Sequence, residues 1–236
     1  MQIQRSCIMF LAILSLPAAI AAGPKGGAIT GRVTYSGTPA KPEVINMSKE
    51  PDCVKLNPRP RTTEDIVTGP GNSLQNVVVY ISVGAPEVSS APPAPVTFDQ
   101  QNCHYTTHVL ALRVGQEVKM SNSDPFSHNI HPTPSINREW NKIQLPGTPP
   151  FSYAFDKQEF IPIKCNLHPW MRAYFVVLNT SHFAVTGNDG RFSLPDLPPG
   201  RYTVTAWHEV FGTRSQEITV VEGQPLTLDF VFNARP

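Results

Sequence analysis

Cys165-Asn166-Leu167-His168-Pro169-Trp170-Met171, together with Ser127-His128-Asn129-Ile130-His131 upstream, is the sequence on which the reading turns. Cys-x-x-His-x-x-Met compresses a thiolate, an imidazole and a thioether into seven residues. A second imidazole must come from elsewhere, and His128 lies 37 residues before Cys165. One Cys and two His with a weak, long axial Met is the ligand set of a blue-copper electron-transfer site. Soft sulfur stabilises Cu(I), while imidazole serves both oxidation states. Four cysteines occur in all, and Cys7 is expected to leave with an export signal, so a four-cysteine zinc site is excluded. Zinc on two cysteines and two histidines fits the counts but leaves Met171 unused. Read singly, Cys165 is a buried thiol or half a disulfide, and Met171 is core packing.

The N-terminus predicts export. Arg5 provides a short positive region, Cys7–Ile20 is an apolar run, and Ala19-Ile20-Ala21 is a cleavage pattern, giving a signal peptide over residues 1–22. The run is too short for a membrane span, which needs about 20 apolar residues. A periplasmic or secreted chain without a transmembrane anchor is expected. Removing Arg5 turns 19 basic against 18 acidic residues into 18 against 18. Such neutrality argues against nucleic acid as a partner.

Helical periodicity is hard to find. Short β-branched and aromatic runs bounded by Gly, Pro, Asn and Asp recur at Ala28–Tyr35, Asn76–Val83, His108–Val114, Glu117–Ser121, Phe160–Lys164, Tyr174–Leu178, Arg191–Leu194, Arg201–Trp207, Gln216–Val221 and Leu226–Phe232. Ten such runs predict an all-β, sandwich-type protein. The 25 prolines point to loops and edge strands, and Gly84–Pro95 reads as a linker.

Toward the C-terminus, Thr186-Gly187-Asn188-Asp189-Gly190-Arg191-Phe192 and Leu197-Pro198-Pro199-Gly200-Arg201-Tyr202-Thr203-Val204 resemble the carboxypeptidase regulatory-like, or transthyretin-like, domain. In physical terms, Asn188-Asp189-Gly190 reads as a hairpin turn, and Pro198-Pro199-Gly200 turns the chain into the next strand. Residues 182–236 are short for a stable sandwich. The family's Gly-x-Val strand and Val-rich central strand have counterparts in Gly31-Arg32-Val33 and Asn76-Val77-Val78-Val79-Tyr80. The expected organisation is one transthyretin-like sandwich from 28–83 and 182–236, interrupted by a second domain at 96–180. Two domains in tandem are the alternative.

The middle segment resembles the cupredoxins, and among them the amicyanins most closely. Pro125-Phe126-Ser127-His128-Asn129-Ile130-His131 matches the pattern around the first ligand, and Cys165-x-x-His168-Pro169-x-Met171 matches the compact ligand loop. The resemblance implies a Greek-key β-sandwich or barrel with one type 1 copper. His128, Cys165 and His168 would be equatorial and Met171 axial. Asn129 would tie the two ligand loops together. His168 would lie nearest solvent, and Pro169, Trp170 and Phe126 would form a patch where a redox protein partner docks. Pro162, three residues before Cys165, departs from the expected paired strand.

His131 lies three residues from His128 and so faces the opposite side of an extended chain. His108 is read as structural, with a second-sphere group or a ligand of a further site as the alternatives, and His208, in Trp207-His208-Glu209, as near the ligand loop or at a domain interface. With Cys165 on the metal, Cys53 and Cys103 form the economical disulfide in an oxidising compartment. Cys53–Cys165, Cys103–Cys165 and free thiols remain open at this stage. No Gly-x-Ser-x-Gly, His-Glu-x-x-His or His-x-His occurs, so neither a conventional hydrolase nor a multicopper oxidase is expected. The expected function is that of a secreted one-electron carrier, not an enzyme. An adhesion or scaffold module and periplasmic copper capture are the rivals.

Overall fold

Strand-forming runs dominate the computed structural model, which describes residues 26–38, 41–86 and 93–234. The strands in chain order begin with β1 Gly27–Ser36, β2 Val78–Val83, β3 Val96–Gln100, β4 Val109–Arg113 and β5 Glu117–Asn122. They continue with β6 His128–Pro132, β7 Lys142–Gln144, β8 Phe151–Ala154, β9 Glu159–Lys164, β10 Arg172–Leu178 and β11 Phe183–Val185. The last are β12 Arg191–Leu197, β13 Gly200–His208, β14 Gly212–Val220, β15 Leu226–Thr227 and β16 Phe230–Asn233. One α-helix, α1 Pro51–Leu56, interrupts them. The expected export signal lies outside the described residues, as does the centre of the Gly84–Pro95 linker. Among the described residues, no helix is long and apolar enough to cross a membrane.

Four sheets result. Their orders are β12-β1-β15 with β16 also on β1, β11-β2-β13-β14, β3-β5-β8, and β4-β10-β9-β6-β7. In the first two, the N-terminal strands β1 and β2 pair only with strands from β11 onward, while β3 to β10 pair among themselves. Each pair of sheets encloses its own core. Ile29, Val33, Leu74, Val79, Phe192 and Phe230 belong to one, and Phe98, Leu112, Met120, Ile161, Phe175 and Val177 to the other.

Two apolar runs that do not alternate explain how these bodies meet. On β2, Val79 and Ile81 face the first core, whereas Val78 and Tyr80 face outward. On β10, Phe175 and Val177 face the second core, whereas Val176 and Leu178 face outward. The outward sets pack on each other with Val109 and Trp207 as a third apolar cluster. Strands buried on both faces read as continuous hydrophobic runs. Trp207 stacks on Phe160 with ring centroids 4.8 Å apart. Beside it, the His108 ring bonds to Glu209 and lies 3.7 Å from Glu64, joining three segments. Burial disfavours a charged His108, but the Glu209 and Glu64 carboxylates raise its pKa above the usual histidine value. His208 is buried within its own sandwich, its ring stacked on Phe211 at 4.8 Å and 6.2 Å from that of Phe232.

Two glycines permit the close approach of chain ends. A Cβ on Gly31 would lie 1.7 Å from the Leu228 carbonyl oxygen, so β1 admits no side chain there. Gly190 has φ +68 and its Cβ would meet the Val33 carbonyl at 2.4 Å. Asn188-Asp189-Gly190 does form a turn, closed by Gly190 N–H to Gly187 O at 2.9 Å, but it is not a hairpin. It carries the chain from β11 in one sheet to β12 in another. The run Leu226–Phe232 is likewise not one strand. It breaks at Leu228-Asp229, where the Asp229 carboxylate accepts the Arg32 N–H at 2.8 Å.

Pro162 is accommodated inside β9. It pairs with Tyr174 of β10, and its carbonyl accepts from Thr133, just past the end of β6. Its missing N–H points toward Thr133, where the β6 ladder stops, so proline forgoes only the reciprocal bond at that ladder's end.

Candidate metal centre

β6 and the β9–β10 loop bring the ligand candidates together. Cys165 N–H donates to Met171 O at 3.1 Å and Met171 N–H to His168 O at 2.9 Å, closing the loop on itself. His128 opens β6, and Tyr105 OH anchors that strand on the Asn129 carbonyl at 2.8 Å. As a result His128 Nδ1 and His168 Nδ1 approach to 2.9 Å, with Cys165 Sγ 3.8 Å from His168 Nδ1. All three side chains are buried, and Met171 is fully buried in the same apolar cluster as Cys165. His131 is not among them; it bonds Asn166 and Glu139 instead.

Asn129 links the two loops. Its Oδ1 accepts the Asn166 N–H at 2.8 Å and lies 3.3 Å from Cys165 Sγ, while its Nδ2 donates to Asn141 at 2.7 Å. Burial pushes the Cys165 thiol up, but hydrogen bonds from His128, His168 and Asn129 outweigh it and hold the pKa at about 6. A thiol held there is substantially ionised at neutral pH, and the thiolate is the metal-binding form.

Asp124 is a participant that sequence reasoning missed. This buried carboxylate accepts from His128 Nε2–H at 2.7 Å and from the backbone N–H of Asn102 and Cys103 at 2.6 and 2.7 Å. Desolvation works against its charge, but these bonds keep its pKa below the usual carboxylate range. With Nε2 committed as a donor, the neutral ring presents its Nδ1 lone pair toward Cys165 and His168. Metal-binding histidines are commonly oriented this way. The spacing Asp124-x-x-x-His128 is the only trace in the sequence. Asp124→Ala is expected to weaken copper binding about 10- to 100-fold, read by competition with a Cu(I) chelator. Unchanged affinity would remove Asp124 from the centre.

Cys53 and Cys103 form a disulfide, and Cys165 is free. The bridge clamps α1 onto the loop after β3 and brings both sulfurs within 4.8 Å of a His168 nitrogen. His168 is 5% exposed, more than the other three ligand candidates, with His128 and Met171 at 0% and Cys165 at 2%, and Cys53 lies beside it. Of the three patch residues, Pro169 is exposed, whereas Phe126 and Trp170 are half-buried against Met47, Cys53 and Cys103. Trp170 Nε1–H donates to the Cys103 carbonyl at 3.0 Å, and its ring lies 5.2 Å from that of His168. A pocket of about 260 Å³ between Asp52, Phe126 and Leu167 reaches His168.

The donor set fits copper: two imidazole nitrogens and a low-pKa thiol converge in a buried site, and the Met171 thioether is buried in the same apolar cluster as Cys165. A hard octahedral ion would want oxygens.

Comparison with known proteins bears on both halves. Residues 172–233 match the family model of the carboxypeptidase regulatory-like domain. Among solved structures, a single-residue variant of amicyanin in its Cu(I) form is 22% identical, over 42% of this chain and 98% of that chain, with TM-score 0.32. A second amicyanin variant, in its reduced state, is 21% identical over the same shares, with TM-score 0.34. The copper-containing nitrite reductase of Thermus scotoductus SA-01 is 22% identical over 42% of this chain and 25% of that chain, with TM-score 0.32. No curated protein matches the chain.

Proposed function

We propose that the protein is an exported one-electron carrier with a single type 1 copper that His128 Nδ1, His168 Nδ1, Cys165 Sγ and Met171 would hold. The observation that carries this reading is the convergence of the two Nδ1 atoms and the free thiol in one buried pocket. Copper bound there would supply a one-electron couple. The chain's own residues keep that couple fast by not moving: Asp124 fixes His128, Asn129 fixes the Cys165 loop, and apolar packing excludes water. The pairing of β1 and β2 with later strands supports a division into 28–83 with 182–236 and an inserted 96–180. An oxidising compartment, periplasmic or extracellular, suits a chain that keeps a disulfide beside a free thiol.

The test is a redox titration of the copper-loaded protein. One electron per chain, taken up and returned repeatedly without loss of copper, is the expected result. Release of copper on reduction would favour metal capture, and the absence of any one-electron couple would favour a scaffold role.

A further inference from the structure

A cleft of about 760 Å³ opens beside the ligand loop, between the 43–50 and 62–65 segments and Leu167–Arg172. That volume is typical of small-molecule sites. One wall is apolar, made by Leu167, Pro169 and the indole of Trp170. The other carries acceptors: Asp65, Glu64 and His104, the last two joined at 2.6 Å. Burial disfavours charge on Glu64, but its hydrogen bond to His104 and the nearby Arg61 charge hold its pKa below the ordinary range. The cleft thus pairs a flat aromatic face with ionised acceptors. It suits a neutral arene bearing O–H donors, and Glu43, Glu50, Lys49 and Arg172 also line it.

We propose that this cleft binds a hydroquinone-type phenol as the electron donor to the metal centre, with Trp170 between donor and His168. The inference rests on the copper reading above. Three observations make the cleft the route. The ligand histidine is 5% exposed, with the disulfide-clamped segment beside it, so it presents little surface of its own. Trp170 is in ring contact with His168 and also lines the cleft. A carboxylate–imidazole pair stands on the opposite wall, where an O–H proton must go.

The step balances. The phenolic O–H bond breaks, its electron passes by way of Trp170 and His168 to oxidised copper, and its proton goes to the His104–Glu64 pair. The neutral aryloxyl radical leaves. Two such radicals then disproportionate in solution to one quinone and one hydroquinone. Positioning a base at the proton that is lost is ordinary acid–base catalysis.

The experiment uses the metal-free chain first. 1,4-Hydroquinone is titrated into labelled protein, with 1,4-dimethoxybenzene, which has the ring but no O–H, as the comparison. The expected result is saturable shifts of the Trp170 indole and His104 signals with hydroquinone alone. Thr62→Trp, a rim substitution at an exposed position, should weaken binding about tenfold or more. In the copper-loaded protein, the rate of reduction by hydroquinone should saturate with concentration and become linear in Thr62→Trp. No shifts at millimolar hydroquinone, equal shifts with the dimethoxy compound, or shifts away from the cleft would each overturn the proposal. Because binding is read without metal, its failure is separable from failure of the copper reading.

Discussion

Replacing Cys53 and Cys103 together by alanine is expected to lower stability by about 4 kcal/mol and to speed copper loss. The first effect follows from chain entropy. The bridge spans a sequence separation of 50 residues, and closing a loop of that size constrains the unfolded chain by about 4 kcal/mol. For a chain of this length that corresponds to a melting shift of roughly 8–16 °C. The second effect follows from what the bridge holds down. α1 is six residues long, too short to persist alone, and Met47, Cys53 and Cys103 make the small apolar cluster that covers Phe126 and Trp170. Without the bridge, that cover is held by the cluster, the Asn57 bond to the Asn102 carbonyl and the Glu64–His104 pair. His168 should then become accessible, and a strong chelator should remove copper faster than from the wild type. A large melting shift with unchanged copper release would mean that the cover contributes stability but does not guard the site.

The ligand loop was legible because its chemistry is local. Cys165, His168 and Met171 lie within one turn of chain, and the backbone bonds that shape the loop join its own residues. His128 was legible by spacing and composition. The doubly buried strands β2 and β10 were legible too, since Val77–Tyr80 and Phe175–Leu178 lack the alternation of a half-exposed strand. β6 escaped notice because His128, Asn129, His131 and Pro132 are poor strand formers in isolation. Their strand geometry is imposed by β7 and β9 on either side. β7 and β8, at three and four residues, and the six-residue α1 are too short for periodicity to register.

The burial of His168 was not legible for a different reason. What lies beside it is a segment more than a hundred residues earlier, delivered by a disulfide whose partner was one of several pairings open to the sequence. Asp124 shows the same limit. An acidic residue before a proline reads as a loop residue until the Cys103 backbone and the His128 ring are seen to meet on it. The cleft beside Trp170 has four separate stretches of chain for walls, and only the one in the ligand loop carries a motif.

The central claim is that Cys165 is a copper thiolate within an electron-transfer site, and Cys165→Ser tests it most directly. The wild type and the variant, each loaded with Cu(II), are compared by visible absorption and electron paramagnetic resonance. Serine keeps the size of the side chain and removes the sulfur, so the fold should survive, as far-ultraviolet circular dichroism would show. The account predicts intense thiolate-to-copper charge transfer with narrow hyperfine splitting in the wild type, bleached by ascorbate, and its complete absence in Cys165→Ser. A pale, ordinary Cu(II) spectrum in the wild type, unchanged by the substitution, would contradict it.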